Sequence, residues 1–588
     1  MQIKKLKSVF KILAVLVIAF FGNYVNVFAQ PHSKTQPTAS VSFSEMAAYI
    51  IEYSAGLQDL NRTYDDMPDS LAKKLQQYFN QWKEKLGQVS FPEMSEEGKA
   101  DYVLLNYNIS QSQSDLSQNR SLWNSIGKLI PFSDTIFNFG VIRHYGCKVN
   151  AQESAGSLDH LRLMIIKATA QLSKDDLSKF PPVGQLIPAV RKLQEILKNY
   201  FNFYNGYDPE FTWWNGVTYK AVDSLMNVYV DTLKNVMSSQ YGFHDGSGIH
   251  GNPIGEQNIL KLLHNQMIPY TPAELIDIAN KEYAWCLKEM KKASAQMGFG
   301  DDWKKALEKV KNDYVPPGEQ PALIRQLALE AINFVEKNKL ITIPSLAKET
   351  WTSEMMSPQR QLINPFFTGG DVISISYPTN TMSYEDKLMS MRGNNPYFSR
   401  ATVFHELLPG HYLQEYMNER YRSYRWPFQT AFWTEGWAFY WEMLLWDKGF
   451  DQQPEQKVGA LFWRMHRCAR IIFSLNFHLG NWTPEHCVDF LIDKVGHERA
   501  NAEGEVRRSF EGGYDPLYQI AYMVGALQFR ALHHELVDSG KMTDIDFHSA
   551  ILKENNMPVE MVRNILEKLP LTTNYQPQWK FYKEIEAH

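Results

Sequence analysis

Apolar residues recur at three- and four-residue spacing in residues 71–82, 189–200, 218–236 and 322–336. That spacing lines them up on one face of an α-helix, so each stretch is predicted helical. Turn-rich breaks separate these stretches, at Phe180-Pro181-Pro182, at 244–255 and at Val315-Pro316-Pro317-Gly318. One segment has a different period. Residues 369–377 alternate small or polar with apolar side chains and stop at Pro378, which is a strand pattern. It reads either as a short structural hairpin or as an edge strand able to pair with an extended substrate backbone. The pattern predicts a mainly α protein with a small β element. No internal repeat and no low-complexity tract interrupts it.

The N-terminus follows neither period. Lys4, Lys5, Lys7 and Lys11 flank a short apolar run at 12–21, and Val27-Phe28-Ala29 offers a cleavage site before Gln30. This is the layout of a secretory signal peptide over residues 1–29, and it predicts a periplasmic or extracellular protein. The run is short for a membrane span, although an uncleaved anchor is the competing reading. After cleavage no stable membrane insertion is expected. A polar tail over 30–40 leads into the fold. A soft boundary falls near 350, between an N-terminal helical region (30–350) with few chemical signals and a region (351–588) where polar and aromatic clusters concentrate.

Composition narrows the function. A chain of 588 residues is long for one core, so two or more subdomains are expected. The net charge is −5, with no Lys/Arg-rich stripe beyond the N-terminus, which argues against a nucleic-acid partner. Aromatic residues reach 13 %; they serve as core bulk, or else line a cleft that stacks on peptide side chains or sugars. Cys147, Cys286, Cys468 and Cys487 lack metal-type pairing and are read as free buried thiols. Cys468 and Cys487 are the pair most suited to a bridge in an exported protein.

The chemistry concentrates in residues 401–414. Ser399 is placed to cap a helix there. His405-Glu406 followed by His411 supplies two imidazoles and an adjacent carboxylate, the parts with which zinc hydrolases hold a metal and take a proton from its water. The histidines are six apart, roughly 240° around a regular helix, so they cannot share a metal without a break. Pro409-Gly410 supplies the means for one. The plainer reading is a buried histidine beside a helix-ending Pro-Gly. Downstream, Glu435 and Glu442 lie in an apolar, aromatic stretch, where a carboxylate is costly unless paired or on a metal. Glu435 is the choice for third ligand, with Glu442 orienting another ligand; buried salt bridges are the alternative for both. Glu415, four residues after His411, competes as ligand.

His405-Glu406-x-x-Pro409-Gly410-His411-x-x-Gln414, then Glu435-Gly436-Trp437-Ala438-x-Tyr440-x-Glu442, resembles the bacterial family called domain of unknown function 885. The likeness continues through Arg470-Ile471-Ile472, His478, residues 480–485 and Pro516-x-Tyr518-x-x-x-Tyr522-x-x-Gly525. The family is grouped with the gluzincin metallopeptidases, so the resemblance implies a helical, two-lobed gluzincin-like fold with a cleft. It implies zinc (Zn2+) on His405, His411 and Glu435, Glu406 as general base, and Tyr522 or His478 stabilising the oxyanion. Tyr412, Ser474 and Tyr518 depart from the family pattern. The expected activity is hydrolysis of a peptide or small amide substrate. A non-peptide amide or ester hydrolase, a binding protein that has lost catalysis, and a glycan-processing enzyme built on a carboxylate pair are the alternatives.

Overall fold

The computed structural model describes residues 44–64, 68–172, 186–241, 245–363, 369–370, 372–511 and 513–585. The signal segment 1–29, the tail 30–40, the Phe180-Pro181-Pro182 break and the start of the 244–255 break lie outside them.

The four stretches with helical period all lie in helices: Pro68–Gly87, Leu186–Tyr204, Pro209–Tyr241 and Gln320–Lys337. Their ends obey local chemistry. Helix Pro272–Gln296, for example, opens on a reciprocal cap: Thr271 Oγ1 accepts the Glu274 N–H at 3.2 Å, and Glu274 Oε2 accepts the Thr271 N–H at 2.7 Å. The protein is mainly helical. Among the described residues no helix is long and apolar enough to cross a membrane.

Two apolar clusters form the interior. One lies within residues 126–233 and is built by helices Ser133–His144, Ala151–Leu172, Leu186–Tyr204 and Pro209–Tyr241. The other takes in residues 46–109 and 249–585, drawing on both sides of position 350. The change in chemical character near 350 is therefore one of composition, and the packing is continuous across it. Trp433, Trp437 and Trp441 are fully buried here, so much of the aromatic content serves as core. The four cysteines are free; Cys147 is exposed rather than buried, and the other three are buried.

Strand β1 (Thr352–Met355) pairs in parallel with β2 (Val372–Ile375), Thr352 opposite Val372 and Met355 opposite Ile375. The hairpin expectation for 369–377 is corrected by this orientation. Parallel strands need a crossover, and helix Pro358–Ile363 lies in it.

A buried ionic clamp fastens the ends of the larger core. Arg425, fully buried, donates from Nε to Asp101 Oδ1 at 2.7 Å and from Nη1 to Glu554 Oε2 at 2.7 Å. Tyr424 donates its hydroxyl to Asp101 Oδ2 at 2.8 Å. The clamp joins helix Glu96–Ile126, the 3-10 turn Ser423–Phe428 and helix Asp544–Glu554. Removing the cation leaves Asp101 with only the Tyr424 hydroxyl and Glu554 with only the more distant Arg422, at 3.4 Å, to answer their charges. Arg425→Met is expected to lower the unfolding free energy by roughly 3–5 kcal/mol, read from urea denaturation midpoints. The double variant Arg425→Met/Asp101→Asn is expected to recover part of that loss, and a single-variant loss near zero would contradict the clamp.

Candidate metal centre

Six helices surround the site: α1 (Pro396–Glu406), α2 (His411–Asn418), α3 (Ala431–Asp447), α4 (Pro454–His478), α5 (Arg499–Glu511) and α6 (Tyr518–His533). Asn395 caps α1, accepting the N–H groups of Tyr397 and Phe398 at 3.0 Å, with Pro396 in the first turn. Ser399, expected as the cap, lies one turn inside the helix and is buried. The Asn-Pro pair just upstream sets the start.

α1 stops at Glu406. Leu407 leaves the helical region at φ −107°, ψ −105°, and α2 restarts at His411. The Gly410 N–H donates to the Phe404 carbonyl at 2.9 Å, folding the chain back over the end of α1. A methyl group at 410 would overlap the His405 carbonyl oxygen, so the approach requires glycine. The break brings the His405 and His411 rings to 4.8 Å between centroids.

α3 supplies the carboxylates. It packs along α6 at a crossing where Gly436 meets Gly525, so close that a side chain on either would strike the other helix's backbone. Glu435 Oε2 is 3.2 Å from His411 Nε2 and 3.7 Å from His405 Nε2. Donors on a tetrahedral ion at bonds of about 2.0–2.1 Å stand about 3.4 Å apart, so the separation of Glu435 Oε2 from each imidazole nitrogen is one that a shared small cation could bridge. Glu435 Oε2 is buried and has no hydrogen-bond partner. An orphaned carboxylate oxygen facing two imidazoles fits a metal donor set. Two turns further along α3, Glu442 Oε1 accepts from His405 Nδ1 at 2.7 Å, which turns the Nε2 lone pair toward Glu435.

Burial alone would lower the His405 pKa, but the carboxylates of Glu435 and Glu442 outweigh it and raise it to about 9. Burial alone would raise Glu435, but His411 and His405 hold its carboxyl well below the usual range. The electrostatic well that keeps a proton on His405 is also one for a cation. His411 Nδ1 lies 2.7 Å from Gln414 Nε2, while that amide also donates to the Thr434 carbonyl at 3.0 Å. With Gln414 donating to His411 Nδ1, the ring's proton sits on Nε2 facing Glu435; a metal on Nε2 would need the proton on Nδ1 and the amide turned over, at the cost of the bond to the Thr434 carbonyl.

Glu406 also reaches the imidazoles: one donor atom each from His405, Glu406 and His411 lie within 4.8 Å of one another. Two carboxylates thus compete for third-ligand status. Each carboxylate has one oxygen taken, Glu406 Oε2 by the Gly369 N–H at 2.5 Å and Glu435 Oε1 by the Tyr518 hydroxyl at 2.5 Å, so hydrogen bonding alone does not choose between them. Glu415 lines the same cavity, which is about 660 Å³. It is Glu435, however, that stands against both imidazole nitrogens.

Tyr522 lines the cavity, its ring stacked on His405 at 6.2 Å and its hydroxyl 3.4 Å from that of Tyr518. Burial raises its pKa first, with Glu435 adding to the effect, so the phenol stays protonated. His478 is not brought to the site. It is buried beside Phe477 and Phe510, outside the cavity lining, about 12 Å along α4 from Arg470 at 1.5 Å rise per residue. Burial lowers its pKa to about 4, so it is a neutral core histidine. Tyr412 points elsewhere, its hydroxyl 2.6 Å from Thr350 Oγ1.

Several contributors escaped the sequence reading. Tyr518, seen only as a departure from a pattern, donates to Glu435 Oε1 at 2.5 Å. Arg467, Arg470 and Arg508 line the cavity. The signal for the first two was present: charges at i and i+3 in an otherwise apolar helix carry the same burial cost that singled out Glu435. Burial, then neighbouring Arg470, lowers the Arg467 pKa.

Residues 50–566 match the family described as bacterial protein of unknown function, DUF885. The chain belongs to the DUF885 family. Two solved structures share the fold of this DUF885 protein. One is a candidate lipoprotein of unknown function from Shewanella oneidensis (TM-score 0.64, 17 % identity, covering 89 % of this chain and 100 % of that one). The other is a candidate lipoprotein from Colwellia psychrerythraea (TM-score 0.55, 14 % identity, covering 89 % and 98 %). No curated protein matches the DUF885 chain.

The hydrogen bond behind His405 gives a direct test. Glu442→Gln is expected to weaken zinc binding by roughly ten- to a hundredfold in competition with a chromogenic chelator, with the far-ultraviolet circular dichroism unchanged. Unaltered affinity would remove Glu442 from any role at the centre.

Proposed function

We propose that this protein is an exported zinc-dependent hydrolase that cleaves peptide bonds. The observation that carries the proposal is Glu435 Oε2, buried and facing two imidazole nitrogens at 3.2 and 3.7 Å, on the wall of a cavity that also holds Glu406. Two histidines and a carboxylate are a donor set of catalytic zinc sites. His405, His411 and Glu435 would hold the ion. Zn2+ bound there would polarise a carbonyl and lower the pKa of water.

The chain's own groups then account for the proton movements. Glu406 accepts a proton from the attacking water, whose oxygen bonds to the carbonyl carbon. The same carboxyl delivers that proton to the departing nitrogen as the carbon–nitrogen bond breaks, leaving a carboxylic acid and an amine. The Gly369 N–H holds the Glu406 carboxylate in place. Tyr522, neutral and at the cavity wall, donates toward the oxygen on which negative charge develops. Tyr518 fixes the far oxygen of Glu435.

The two-lobed, gluzincin-like architecture belongs to the same proposal. The periplasmic or extracellular location rests on the signal-like N-terminus and on structural neighbours described as candidate lipoproteins. A non-peptide amide or ester would undergo the same chemistry at the same groups.

Purified protein is expected to carry one zinc ion, and chelation should abolish hydrolysis of a mixed peptide library. Glu406→Gln should keep the zinc and lose roughly 10²–10⁴ in kcat. Wild-type protein that takes up no zinc would refute the reading. Zinc uptake with turnover of esters or acylated amines, and none of peptides, would transfer the activity to those substrates.

A further inference from the structure

Beside the candidate metal centre three arginines are grouped on one wall of the cavity. Arg467 and Arg470 on α4 and Arg508 on α5 all line it. Arg467 is only 5 % exposed and Arg470 only 3 %. A single carboxylate, Glu505, serves two of them: its Oε1 accepts from Arg470 Nε at 2.7 Å and its Oε2 faces Arg508 Nη2 at 2.9 Å. The carboxylate nearest Arg467 is Glu442, at 3.8 Å, and that oxygen already accepts from His405 at 2.7 Å. Arg467 Nε, Arg470 Nη1 and Arg508 Nε are buried without a hydrogen-bond partner. Among the described residues three guanidinium groups each keep an unused N–H, and Arg467 has only the distant contact with a shared Glu442 oxygen.

The neighbouring histidines do not alter this balance. His466 and His497 stand 2.9 Å apart, and burial first, with nearby cations, keeps both neutral. The arginines are also held rigidly. Arg467 and Arg470 lie 4.4 and 4.5 Å from the centroid of the Tyr522 ring, which fixes both. A buried guanidinium N–H left unpaired is costly, and the group that best answers several such N–H groups together is an anion with planar oxygens matching the fork. Tyr522, whose ring both arginines contact, also stacks on His405, so such an anion would sit next to the reacting bond.

We propose that Arg467, Arg470 and Arg508 form a carboxylate-binding subsite, and that the protein selects peptides or acylated amino acids presenting a carboxylate close to the scissile bond. The proposal rests on the hydrolase reading and adds the substrate class to it. A C-terminal carboxylate would make the enzyme act from the C-terminal end of short peptides; an acidic side chain would offer the same chemistry within a chain.

The test uses Glu406→Gln protein, so that ligands are not consumed, with calorimetric titration of zinc-loaded and zinc-free samples. The probes are N-acetyl-alanyl-phenylalanine, its C-terminal amide, and N-acetyl-alanyl-glutamate C-terminal amide. The free acid is expected to bind roughly ten- to a hundredfold more tightly than its amide, the range for hydrogen bonds to a charged group. The discrimination should persist without zinc and should vanish in Arg467→Gln. A glutamate amide that binds as tightly as the free acid would assign the subsite to an acidic side chain. Equal binding of all three probes, or binding of none, would overturn the proposal. The comparison of acid with amide on Glu406→Gln protein with its arginines intact stands even if the arginine variant fails to fold. Acid-over-amide discrimination in a protein that hydrolyses nothing would keep the subsite and remove the hydrolase. Equal hydrolysis of acid and amide would do the reverse.

Discussion

The site depends on two carboxylates buried in an aromatic helix. Glu435 and Glu442 sit on α3 among fully buried tryptophans, where a lone charge would destabilise the fold. Each is tolerated because imidazole comes to it. Glu442 is met by His405 Nδ1, and Glu435 by the Nε2 atoms of both histidines. The same requirement accounts for the break between α1 and α2, since an unbroken helix would carry His411 to another face. It also accounts for Tyr518, whose hydroxyl answers the second oxygen of Glu435.

Backbone approach rather than side-chain length sets these distances. At Gly436 and Gly525 the helices α3 and α6 come close enough that no side chain fits between them. That crossing lies about one turn from Tyr522 and two from Tyr518, and holds both beside Glu435 without reliance on flexible arms. At Gly410 the chain passes over the carbonyl groups closing α1. Both contacts leave the donors little freedom to relax, which is the preorganisation a metal centre needs.

Much of this was legible in the sequence, for identifiable reasons. Helical period marked the long amphipathic elements, because burial on one face leaves a repeating trace. The pair His405 and His411 was recoverable because proline and glycine announce a break, and Glu435 because a carboxylate in an apolar run needs a reason. The start of α1 was misplaced because the weaker Ser399 signal was preferred to Asn395-Pro396. The orientation of β1 and β2 could not be read, since alternation records faces and not partners. His478 carried a family-like context, but its direction depends on α4's rotation against Phe510. Arg467 and Arg470 left a trace as charges within a largely apolar helix, but their convergence with Arg508, like the approach of Tyr518 to Glu435, depends on which helices meet, and no local pattern encodes that.

The contacts that complete the site join parts of the chain far apart in sequence. Tyr518 reaches Glu435 across 83 residues, and the clamp joins Arg425 to Asp101 across 324. Loops of that length close late, because their entropy must be overcome before any contact rewards it. The centre therefore exists only once those distant segments have met, and no short fragment contains it. A chain crossing a membrane in extended form would be chemically silent, and would acquire its reactivity only where folding finishes.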